Sequence, residues 1–199
     1  MTAPIEYRFV LPPGWVQIAL DDSADKTVRD IARTAAAAVE PENRVVAESF
    51  LRDQLTSVVA QARANGGQDL YVPTAPVEGM PLPMSIVVSE IIPPGDGARF
   101  SSSDALVSFA SRSADSTATT IDGQLAVRSS GVIPADDDRP ETRRLSYLVC
   151  TPGPPRLMLI TGAIVQLDLE GFDHIDSALE LLFDSMTATI RFQREVAPA

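Results

Sequence analysis

The side chains best equipped for chemistry gather near the C-terminal end. The only histidine, His174, stands between Asp173 and Asp176, and Asp168 and Glu170 lie just upstream. An imidazole beside carboxylates is half of a serine hydrolase, and this chain has many serines. A triad also needs a nucleophile presented on a sharp turn, and no Gly-x-Ser-x-Gly elbow occurs. The same carboxylates could attract a hard cation. Their spacing lacks the alternating ligands, central glycine and terminal glutamate of an EF-hand loop. Asp173 opens a helical pattern, where an acidic side chain is stabilised by unpaired N–H groups and the helix dipole. The pattern therefore predicts an exposed histidine in a first helical turn, flanked by capping carboxylates.

Other candidates resolve in the same way. Cys150 falls on a predicted strand with no histidine nearby in sequence to lower its pKa, so it reads as a small buried thiol. As the single cysteine it excludes an internal disulfide and a multi-cysteine zinc site. Gly66-Gly67 and Gly95-Asp96-Gly97 are turns, without the further spacing of a phosphate-binding loop. Asp136, Asp137 and Asp138 read as a solvated loop. The sequence thus assigns no catalytic residue, no metal ligand and no cofactor. One residue points to binding: Trp15 follows a stiff Pro-Pro-Gly turn, on the strand face opposite Val16, Ile18 and Leu20. Tryptophan is enriched at interface hot spots, and its alternative is a helix packed on that second face.

The elements that must position these residues follow from periodicity. Ile5 to Leu11 and Trp15 to Leu20 alternate as strands around Pro12-Pro13-Gly14, an N-terminal hairpin. Asp21-Asp22-Ser23 starts a helix with Val28, Ile31, Ala35 and Val39 at helical spacing, stopping near Pro41. A second helix runs from about Glu42 to Ala64, with Val46, Phe50, Leu51, Leu55, Val58, Val59 and Ala62 as its apolar stripe. Strands follow at Asp69–Thr74 and Met84–Ile92, then a short helix from the Ser101-Ser102-Ser103-Asp104 cap. Thr117–Ile121 and Leu125–Val132 form a hairpin around Asp122-Gly123. Arg144–Thr151 and Arg156–Leu167 form another. A last helix carries Ile175, Leu179, Leu182, Phe183 and Met186, Thr187–Phe192 closes as a short strand, and residues 193–199 fray. Without βαβ alternation the expectation is an α+β fold, mainly an antiparallel sheet with an N-terminal hairpin, two early helices and a packed C-terminal helix.

Composition bounds the function. In 199 residues, 45% hydrophobic and 22% charged, no linker or repeat appears, so one domain over 1–199 is expected. The 27 acidic against 16 basic residues give a net charge of −11, which disfavours nucleic acid and anionic lipid as partners. Lys26 is the only lysine, and that arginine bias fits a high-GC bacterial genome. No apolar run approaches a membrane span. The first residues show no export signal or lipid-anchoring cysteine, so the expected location is the cytoplasm.

The opening Tyr7-Arg8-Phe9-Val10-Leu11-Pro12-Pro13-Gly14-Trp15 and the closing Leu182–Phe192 segment, preceded by the Leu145–Leu167 hairpin, resemble the PsbP-like fold and its LpqN-type members. The chain departs from that pattern in having two early helices and no export signal. The resemblance implies a non-catalytic accessory protein assisting a larger bacterial assembly through a protein partner. Two other functions stay open: a small hydrolase using His174, and a carrier of a small apolar ligand.

Overall fold

The computed structural model describes residues 5–75, 82–91, 101–137, 139–153, 156–167 and 172–193. It is an α+β protein, and its strands pair antiparallel in every described register. The fold divides into two compact units, 12–89 and 1–11 with 90–199.

In the first unit, β2 (Trp15–Ala19) pairs with β3 (Gly67–Pro73), and β3 with β4 (Met84–Ile91), which runs on past the unit's end. Helices α1 (Ala24–Ala36) and α2 (Arg44–Ala64) form the expected helical hairpin. The Asp21 carboxylate accepts the Ser23 hydroxyl at 2.6 Å and the Ser23 amide at 2.8 Å ahead of α1, and these bonds hold its pKa below the ordinary value. Ile18, Ala24, Val28, Val59, Leu70 and Val72 form the core, with Leu20, Ile31, Leu55, Val58 and Val87 packed around it. Gly67 is required where α2 returns to the sheet. A Cβ there would lie 2.7 Å from Leu20 Cδ1 and 2.9 Å from the Ala62 carbonyl.

The predicted stripe of α2 is corrected in its first half: Val46 and Phe50 are exposed, while Val59 and Ala62 are buried. At about 100° per residue, Val46 and Phe50 occupy a different side of the cylinder from Leu51, Leu55, Val58, Val59 and Ala62. Apolar residues lie on two sides of this helix, and the sheet covers one.

The second unit is built on an antiparallel meander: β5 (Ser116–Ile121), β6 (Gln124–Ile133), β7 (Thr142–Cys150) and β8 (Leu157–Val165). The predicted β5–β6 hairpin turns on Asp122 and Gly123, whose φ angles of 49° and 75° match a two-residue type I′ turn. Helix α3 (Ser102–Ala110) begins where Ser101 Oγ accepts the Asp104 amide at 3.2 Å. Leu106 of α3 joins Val127, Leu148 and Leu157 on one face of the meander. Helix α4 (Phe172–Ala188) covers the other, with the Phe183 ring against the backbone at Gly162.

The N-terminal hairpin keeps its turn, Trp15 N–H to the Pro12 carbonyl at 3.2 Å, but its arms take separate partners. While β2 pairs with β3, β1 (Tyr7–Arg8) pairs with β9 (Arg191–Phe192), placing Tyr7 opposite Phe192. The Val10 amide also donates to Thr189 Oγ1 at 3.0 Å, and the Ile5 amide to Glu90 Oε2 at 3.4 Å. The first residues of the second unit are thereby tied to its last strand, to Thr189 just after α4 and to Glu90 of β4.

Candidate functional site

Among the described residues, the densest set of charged side chains lies between α4 and the meander. Tyr147 stands opposite Arg128 in the β6–β7 register, so the two share a face. Arg143, four residues before Tyr147 on β7, shares it too. Above them, Asp176, Glu180 and Asp184 follow one another at four-residue steps on α4 and so line up along the helix.

Arg128 Nε lies 2.9 Å from Asp184 Oδ1, and its terminal nitrogen 2.5 Å from Glu180 Oε1. Arg143 reaches Asp176 at 2.8 Å and Glu180 at 3.3 Å. The Tyr147 hydroxyl donates to Asp184 at 2.9 Å, and Gln166 Nε2 to Asp176 at 2.9 Å. Two guanidiniums, a phenol and an amide thus meet three carboxylates.

The electrostatics follow from that geometry. The Asp184 hydrogen bond, followed by those of Glu180, raises the Arg128 pKa further. Burial, then the hydrogen bond to Asp184, raises that of Tyr147. At neutral pH the phenol is therefore a proton-bearing donor, with no phenolate to act as base or nucleophile. Each carboxylate already accepts from a guanidinium. The cluster's evident work is to hold α4 on the sheet.

The residues singled out in the sequence are dispersed. Asp176 is turned inward to Arg143, whereas His174, two positions earlier on the helix, is exposed. That offset is about 200° around the axis, so their closeness in sequence brings no joint site. Asp168, Glu170 and Asp138 lie outside the described residues, as does the structure around the Asp173 side chain. Asp136 pairs with Arg139. Cys150 is half-buried beside the Leu106–Leu148 cluster, and burial raises its thiol pKa. Trp15 is 8% exposed on β2, opposite Pro73.

Sequence reading missed the outward side of α2. Val45, Val46 and Phe50 are 79%, 70% and 62% exposed on two successive turns. Beside Val45 is a surface hollow of about 240 Å³, lined also by Glu48, Ser49 and Arg52. The available signal was the four-residue step from Val46 to Phe50, offset from the longer stripe. Among the described residues no helix is long and apolar enough to cross a membrane.

No family model matches the chain, and no curated protein does. Solved structures do resemble it. The crystal structure of LpqN from Mycobacterium tuberculosis, described as involved in cell envelope biogenesis, matches over 96% of this chain and 87% of that one, at 12% identity and a TM-score of 0.46. A structure from Bacteroides thetaiotaomicron matches over 64% of this chain and 39% of its own, at 12% identity and a TM-score of 0.38.

Proposed function

We propose that the chain is a non-catalytic protein-binding module, accessory to a larger bacterial assembly. The observation that supports this most is the set of large apolar side chains, Val45, Val46 and Phe50, left in solvent on α2, with a shallow hollow beside Val45. A single exposed apolar residue is ordinary, but several together on one helix mark an interaction surface. In an interface a few well-packed side chains carry most of the binding energy. Trp15 belongs to the same proposal: a partner that reaches β2 shifts its emission, and an unchanged spectrum in the purified complex removes it.

The test is photo-crosslinking in the source organism. A photoreactive residue at Ser49, on the flank of the patch, is expected to give discrete adducts with one protein. The same residue at exposed Asp137 serves as control. Equal labelling from the two positions would overturn the proposal.

A further inference from the structure

The strand β5 ends the meander, and among the described residues no strand pairs with its outer side. Its six residues, Ser116 to Ile121, contain no charge and no proline. Exposed edges usually carry such residues as blocks against pairing. The direction of its backbone groups follows from the ladder. The two-residue turn closes on Ile121 opposite Gln124, and the Ser130 amide bonds the Asp115 carbonyl. Antiparallel ladders alternate, so Asp115, Thr117, Thr119 and Ile121 turn their backbone groups toward β6. Ser116, Ala118 and Thr120 turn theirs outward. On the α3 side, Ala118 is exposed, and Leu125, directly opposite Thr120 on β6, is 59% exposed.

Charge selects the occupant. Asp115 and Asp122 stand at the two ends of the strand. In either register that centres two copies of β5 antiparallel, Asp115 of one copy comes within one position of Asp122 of the other, at both ends. Self-pairing is therefore opposed, and the net charge of −11 adds to the repulsion. An extended segment with a basic residue at each end meets attraction instead.

We propose that β5 is a strand-acceptor edge for a partner's extended segment of about six uncharged, β-branched residues flanked by lysine or arginine, joined by main-chain hydrogen bonds. It extends the binding reading to a second surface. Asp115 is the stronger handle, being exposed, whereas Asp122 already accepts the Phe192 amide at 3.0 Å and has Arg191 Nε 3.8 Å away.

The test uses the full chain and a synthetic peptide: lysine, three threonine–valine repeats, lysine. The expected result is amide NMR shifts at Ser116, Ala118 and Thr120, absent with the glutamate-ended peptide. Ala118→Pro removes an outward donor while sparing the bonds to β6, and should abolish binding with the α3 and α4 signals unchanged. Should that variant fail to fold, Asp115→Lys leaves the strand intact and should weaken binding about fivefold at low salt. Equal binding of both peptides, no binding to the folded wild type, or an unaffected Asp115→Lys would overturn the proposal. Should the partner crosslinked at α2 bind the folded Ala118→Pro variant as it binds wild type, the edge is refuted and the binding-module reading stands. If Ser49 gives no specific adduct while the peptide still docks, the α2 surface is refuted and the edge stands.

Discussion

Replacing Gly162 with alanine probes the seat of α4. The added Cβ would fall 2.7 Å from Phe183 Cδ2, 2.9 Å from Cε2 and 3.3 Å from Cγ, against an ordinary contact of 3.4–4 Å. The ring must therefore withdraw by about 0.7 Å, and interiors packed at crystal-like density have little room to yield. Phe183 is 0% exposed, and Tyr147 packs beside it with ring centroids 5.7 Å apart. Overpacking of this kind costs about 1–3 kcal/mol. For a chain of this length that corresponds to a fall in Tm of roughly 2–4 °C per kcal/mol. Urea denaturation followed by circular dichroism reads the loss as a lower midpoint at constant slope. Shortening the ring should recover part of it, so Gly162→Ala with Phe183→Leu is expected to lose less than the two single changes added together. A Gly162→Ala variant within about 0.5 kcal/mol of wild type, the range of an ordinary surface change, would refute this placement of the helix.

Other outcomes follow from the same packing. In a double-mutant cycle, Arg128→Met and Asp184→Asn should couple by about 1–2 kcal/mol, between the values typical of exposed and buried pairs. Additivity of the two would mean the pair is not formed. Because the Tyr147 pKa is raised on folding, its stabilising effect is complete below the unfolded tyrosine value near 10 and is lost as pH rises toward the folded one. Alkaline melts of Tyr147→Phe should accordingly fall less steeply above pH 10 than those of wild type, and parallel curves would contradict the assignment. We also propose that 1–199 unfolds as one domain, so Trp15 emission and far-ultraviolet circular dichroism should share a single urea midpoint. Two separate midpoints would divide it.

What the sequence made legible is what local chemistry decides. The Asp122-Gly123 hairpin needs only a turn that tolerates positive φ, and the α3 start needs only a serine three residues before a free amide. The β7–β8 hairpin was likewise readable from alternation and from the Pro-Gly turn between its arms. Long-range choices were not. Tyr7–Arg8 has the strand pattern for a neighbour, yet its partner begins 183 residues later, and alternation says nothing about which edge a strand joins. The α4 carboxylates lie 33 to 56 residues from the arginines they meet, in a register that only the folded sheet defines. On α2, one list of apolar residues hid two faces. The inward face was the expected one, and the outward face carries the proposed function.

The most direct test of the account uses the protein crosslinked at Ser49, purified and titrated against wild type and Phe50→Asp by calorimetry. Placing a carboxylate on the patch should weaken binding by at least about tenfold, as loss of a hot-spot aromatic does, with the circular dichroism unchanged. Equal affinity for the two chains would contradict the claim that this side of α2 is where the partner docks.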